Sequence, residues 1–179
     1  MGSYYYLISG LADISLDDSK AALSVDQFRA EVFDSLSAAD RKLMDLLLLE
    51  NDCRNLLSAV TADSAQDYKG LFSAEQLEEL IVSVKHQDKC PEGIPQFMYR
   101  FVQEYQDETW REYASLPEDR LWSLFYDYAM QTDNKFVSSW YSFNLDVNNI
   151  QTAITARKYG LDMQKVIVGQ NETAHALRT

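Results

Sequence analysis

Two histidines and two cysteines are the side chains of this 179-residue chain best suited to hold a metal or to attack a substrate. His86 stands four residues before Cys90, so the pair has the spacing to share one ion. A structural zinc site needs four ligands, usually with close-set cysteine pairs, and no second pair exists. The reading for His86 and Cys90 is therefore a loop residue and a half-buried thiol. Cys53 follows a leucine run and is preceded by Asp52. Burial and an acidic neighbour both raise a thiol pKa, the reverse of what a cysteine nucleophile needs. Carboxylate pairs such as Asp17-Asp18, Glu78-Glu79 and Glu118-Asp119 fall in loops or on polar faces, and none is singled out for acid–base work. The sequence has no phosphate-binding glycine loop, no G-x-S-x-G and no H-E-x-x-H. These residues predict no catalytic group, no cofactor and no bound metal.

What does recur is a polar pattern at helical spacing. Asp52, Asn55 and Leu56 stand in the same relation as Asp146, Asn149 and Ile150: Asp, two residues, Asn, then an aliphatic. Each copy sits where an apolar run meets a new amphipathic run, which suggests two copies of one helical unit. The six residues expected at helix junctions or partner contacts are Asp52, Arg54, Asn55, Asp146, Asn149 and Arg157. The two arginines have the donors for such bonds.

The elements that must position them are helices. In residues 143–160 (FNLDVNNIQTAITARKYG), Asp146 reads as an N-cap. Val147, Ile150, Ala153 and Ile154 read as one packed face. Arg157 and Lys158 suit the last turn, and Gly160 suits the C-terminal cap. Upstream, Ser24 or Asp26 caps a helix bearing Phe28, Val32, Phe33 and Leu36. Ser37 caps the next, with Asp40 three residues on, and its leucine run predicts a buried helix continuing to about Val60, any bend falling near Asn51-Asp52. Residues 61–73 read as a linker. Ser73 then caps 74–85, with Leu77, Leu80, Ile81 and Val84 as its stripe. Residues 86–95 read as a loop, 96–113 as an aromatic helix, and 118–130 as a helix opened by Pro117 and burying Leu121, Leu124, Phe125 and Tyr128. Residues 163–168 read as a short buried segment, and Asn171 as the cap of a last helix. Residues 4–11 read as a short extended arm, and 12–24 as a loop.

Composition agrees. Gly (6) and Pro (3) are scarce, while apolar content is 46%, the balance of a folded protein of long helices. The net charge of −12 repels phosphate backbones and anionic membrane surfaces. No run approaches the roughly 20 apolar residues of a membrane span. With two cysteines and no recognisable leader, the cytoplasm is the expected compartment. The fold expected is all-α, a helical bundle of two similar helical units, 1–70 and 71–179, possibly one continuous domain, with an extended N-terminal arm. The end at Thr179, two turns into a helix, reads as a chain cut short of a further helical unit.

Residues 4–14 (YYYLISGLADI) resemble the start of an uncharacterised bacterial family usually encoded among V-type ATPase subunits. Residues 46–57 (LLLLENDCRNLL) and 146–160 (DVNNIQTAITARKYG) are similar to the acidic-x-x-Asn-aliphatic helices of the C (or d) subunit of V/A-type ATPases. The resemblance implies a non-catalytic connector that seats the central rotor stalk on the membrane ring of proteolipid subunits. It would be peripheral to the membrane through its complex and would support ATP-coupled transport of protons or sodium ions. The alternatives are a free-standing helical adaptor and an acidic-pocket, metal-dependent enzyme.

Overall fold

The computed structural model describes residues 4–11, 13, 24–62 and 68–179. Among them the regular structure is helical, with no strand. The helices are α1 (Tyr5–Ser9), α2 (Val25–Val32), α3 (Ala38–Thr61), α4 (Ala74–Lys85), α5 (Gln96–Gln106), α6 (Pro117–Ala129), α7 (Lys135–Tyr159), α8 (Met163–Val166) and α9 (Glu172–Arg178). The chain groups into two compact units, Met1–Leu48 and Leu49–Thr179, and α3 contributes residues to both. The junction read at 70/71 falls inside the second unit. The loop read at 12–24 lies, apart from residues 13 and 24, outside the described residues, as do Asp17-Asp18 and residues 63–67 of the linker.

In the first unit the expected caps form. Ser24 Oγ accepts the Gln27 N–H at 3.2 Å while Gln27 Oε1 accepts the Ser24 N–H at 2.9 Å, closing a capping box at α2. The extended arm expected over residues 4–11 does not form: Tyr5–Ser9 is helical. A strand without a neighbour leaves backbone groups unpaired, whereas a helical turn satisfies them locally, as in the Ile8 N–H bond to the Tyr4 carbonyl at 2.8 Å. Tyr4 is anchored by its hydroxyl, which donates to Asp40 and accepts the Ser37 N–H at 2.9 Å. Ser37 Oγ in turn accepts the Asp40 N–H at 3.2 Å. The Tyr4 hydroxyl and the Ser37 hydroxyl, which also donates to Asp40 Oδ2 at 2.7 Å, hold the Asp40 carboxyl below its usual range.

In the second unit Phe125 of α6 is the hub of an aromatic core. Its ring meets Phe97 of α5, Trp122 of its own helix and Tyr141 of α7 edge to face, the last at 5.5 Å between centroids. Leu56, Leu80, Met98, Phe101, Val102, Leu121 and Leu145 are buried in the same unit. Pro117 opens α6 as expected, while Tyr128, read as buried, is 41% exposed. The helix read at 96–113 stops at Gln106; Glu108 takes a left-handed φ of 56°, and a short 3-10 turn, Thr109–Glu112, carries buried Trp110.

The largest departure concerns α7. It starts at Lys135, eleven residues before Asp146, with Asn134 Oδ1 accepting the Val137 N–H at 3.1 Å as its cap. Asp146 is therefore mid-helix, not an N-cap. Asp52, as expected, lies inside an α3 that runs unbroken from Ala38 to Thr61. Both long helices continue because nothing in either apolar lead-in breaks the backbone pattern. The inner face of α7 is Tyr141, Leu145, Asn149, Ala153 and Ala156. Of the expected packed face only Ala153 is buried; Val147, Ile150 and Ile154 point outward. Gly160 ends α7 at φ 67°, in the left-handed conformation a C-terminal cap needs. No helix among the described residues is long and apolar enough to cross a membrane.

Candidate functional site

The two Asp-x-x-Asn copies turn out to grip backbone. Asp52 is fully buried. Its carboxylate accepts the Leu71 N–H at 2.8 and 3.0 Å and the Phe72 N–H at 3.0 Å. One turn on, Asn55 pairs with both backbone groups of Tyr68, donating to its carbonyl at 2.7 Å and accepting its N–H at 3.0 Å. Asn51 adds a bond to the Lys69 carbonyl at 3.0 Å. Residues 68–72 are thereby stitched to α3, immediately before Ser73 caps α4 with a capping box.

Asn149 on α7 makes the same two-bond pair with Val168, donating at 2.7 Å and accepting at 2.9 Å. Asp146 accepts from the Asn171 side-chain amide at 2.8 Å, and Asn171 Oδ1 caps α9 by accepting the Ala174 N–H at 3.0 Å. The repeated pattern is thus a repeated device. A long helix holds, through an Asp and an Asn one turn apart, the stretch that leads into the next capped helix. The copies differ at the Asp, which meets backbone directly in one and through a side-chain amide in the other. Gly70 permits the direct version, because a Cβ there would lie 2.1 Å from Asp52 Oδ1.

Arg54 stacks its guanidinium over the rings of Tyr68 (5.5 Å) and Trp122 (5.7 Å), bracing the first clamp against α6. Arg157 does not join the second clamp. It is exposed, about 12 Å along α7 from Asn149. Cys53, beside Asp52, is fully buried. Burial first, then the charges of Asp52 and Glu50, push its thiol well above the usual range, with Arg54 acting the other way. His86 ends α4, and Cys90 bonds through sulfur to the Ile94 carbonyl at 3.5 Å. Among the described residues no three His, Cys, Asp or Glu side chains converge as a metal site would require.

An open cleft of about 510 Å³ reaches the Asn149–Val168 pair of the second clamp and is lined also by Glu50, Arg54, Trp122, Tyr126 and Tyr141, with Glu118 and Asp119 at α6. Burial, partly offset by Arg54, raises the Glu50 carboxyl; burial and the Glu50 charge raise the Tyr141 phenol. Sequence reasoning missed Glu50 and treated Asp119 only as half of a solvated pair. Asp119 is in fact pushed up to about 6, by burial first and the neighbouring Glu118 charge second, against a bond from the Leu116 backbone.

That shift has a sign. A carboxyl raised from 3.8 to about 6 on folding contributes stability that is complete below its unfolded value and is lost as pH rises through its folded value. Asp119→Asn is therefore expected to stabilise the protein at pH 7.5 by about 1 kcal/mol, discounted for solvent screening of a half-exposed group. The gain should vanish near pH 4. Thermal melts at the two pH values check this, and an equal shift at both would contradict it.

Comparison with known proteins returns one family. The family model described as "Protein of unknown function (DUF2764)" matches residues 1–179. No curated protein and no solved structure matches the chain.

Proposed function

The chain belongs to the DUF2764 family, and from that premise and the clamp geometry we propose that it is a non-catalytic connector like the C (or d) subunit of V-type ATPases. It sits between the central rotor stalk and the proteolipid ring, on the cytoplasmic side, and supports ATP-coupled movement of protons or sodium ions. The observation that carries this reading is the duplicated clamp. Asn55 with Tyr68 and Asn149 with Val168 make the same two-bond grip, each on the approach to a capped helix. Such a framework resists bending at its helix junctions, and a connector that transmits torque needs stiff junctions. It is also the feature through which the sequence resembles that subunit family. The buried, raised thiol of Cys53 fits a structural residue beside a clamp better than a nucleophile.

Deleting the chain from its cell tests the proposal. Membrane vesicles from the deletion strain are expected to lose ATP-driven ion uptake while the detached headpiece still hydrolyses ATP. Restoring the chain should restore uptake. Uptake that is unchanged by the deletion would sink the reading. The same result, with the chain recovered in a complex lacking ATPase subunits, would favour the free-standing adaptor.

A further inference from the structure

α7 is apolar on two opposite sides. Its inner side is built into the core through Tyr141, Leu145, Asn149, Ala153 and Ala156. Its outer side carries Phe136, Trp140, Phe143, Val147, Ile150 and Ile154, with exposures from 37% at Val147 to 78% at Phe136. At about 100° per residue the two sets point half a turn apart. The outer residues are spaced four, three, four, three and four apart, the alternation that keeps a seam facing a partner helix in a coiled coil. The stripe extends over about 27 Å of helix axis.

We propose that the outer face of α7 docks an α-helix of another protein, one bearing apolar residues at alternating three- and four-residue spacing and carboxylates abreast of Arg157 and Lys158. The charge pattern selects this occupant. The charged residues of α7 are Lys135, Asp146, Arg157 and Lys158, three basic and one acidic, a net +2 on a chain whose total is −12. A second copy fits poorly. Paired parallel, Arg157 and Lys158 would meet themselves; paired antiparallel, they would meet Lys135. Like charges across such a seam oppose pairing, whereas an acidic helix is drawn to it. A lipid surface also fits poorly. A membrane-lying helix turns its opposite face to water, but that face of α7 is buried in the protein. A narrow seam is the shape of helix pairing, where a surface-lying helix shows a broad apolar face.

The inference rests on the connector reading only in expecting the docked helix to belong to a neighbouring ATPase subunit. It is tested in the native cell, with the full chain carrying a photoreactive benzoylphenylalanine in place of Ile150 and, as control, of exposed Glu79 on α4. Adducts are mapped by peptide mass spectrometry. The expected result is an adduct from position 150, at least tenfold above position 79, to one peptide with heptad-spaced apolar residues flanked by acidic ones. Phe143→Glu with Ile154→Glu should reduce it at least tenfold while the circular dichroism of the purified chain stays unchanged, since both residues are exposed. An adduct to a second copy, to residues 1–48 of the same chain or to lipid overturns the inference, and so does no adduct. If the heptad peptide comes from a protein outside the ATPase, the docking surface stands and the connector reading falls. If the chain is found in the ATPase but position 150 yields no such peptide, the connector reading stands and this inference falls.

Discussion

Asp52→Ala is expected to destabilise the protein by about 2–4 kcal/mol, because it strips a charged acceptor from two backbone donors at once. The Leu71 and Phe72 N–H groups both end on this carboxylate, at distances of 2.8–3.0 Å. For a chain of this size such a loss corresponds to a melting temperature lower by roughly 5–15 °C. The geometry adds a sharper expectation. Gly70→Ala places a Cβ 2.1 Å from Asp52 Oδ1, so alone it must push the carboxylate off its donors. In a chain that already carries Asp52→Ala the three atoms nearest that methyl group, all of the Asp52 carboxylate, are gone. The two substitutions should therefore be strongly non-additive, with a coupling of about 1–3 kcal/mol in a double-mutant cycle read by urea unfolding. Additive losses would mean that Gly70 is not there to let the carboxylate approach.

The second large effect lies in a pair of charges in the second unit. Glu104 of α5 and Arg120 of α6 are both nearly buried and bond bidentately, at 2.6 and 2.8 Å. Arg100 adds a third bond to Glu104 at 2.7 Å, and Arg120 lies 4.2 Å over the Tyr113 ring. Removing one partner leaves the other charge buried and unmatched, so Glu104→Ala or Arg120→Ala should cost about 3–5 kcal/mol. Replacing both together, as Glu104→Met with Arg120→Met, should cost less than either alone. Burial works against ionising Glu104, but the bonds and charges of Arg120 and Arg100 outweigh it and hold the carboxyl below its ordinary 4.5. A depressed carboxyl contributes stability that is complete above its unfolded value and is lost as pH falls through its folded value. The wild-type chain should thus lose stability below about pH 4.5, and Glu104→Gln should flatten that limb. Urea unfolding between pH 3 and pH 7 reads both expectations, and an unchanged acid limb in Glu104→Gln would contradict the assignment.

How much of this was legible beforehand varies with distance along the chain. Local signals are legible in the sequence. Ser24, Ser73 and Asn171 are caps, Pro117 opens α6, and Gly160 closes α7. Each depends on a few neighbouring backbone groups. The Asp-x-x-Asn repeat was visible as a pattern, but its role was not. The backbone that Asp52 and Asn55 hold comes from 13 to 20 residues away, and nothing local marks it. Asp146 has the residue type of a cap, but so does Asn134, twelve residues earlier, and it is Asn134 that caps the helix. The Val147, Ile150 and Ile154 face was assigned inward because three-and-four spacing marks an apolar side without saying what covers it. The true inner side includes Asn149 and Tyr141, which polarity alone would place in water. Glu104 and Arg120 sit sixteen residues apart on different helices, so only the Arg100–Glu104 pair carried a periodic signal.

The central claim is that this chain serves by fitting between other subunits. Native mass spectrometry of the ATPase released intact from its own membranes tests that most directly. The expected spectrum contains this chain in the species that holds both a central-stalk subunit and proteolipid subunits, and gentle dissociation yields a subcomplex of the chain with the stalk. A spectrum in which the ATPase assembles completely without the chain, and the chain is found only free or with unrelated proteins, would contradict it.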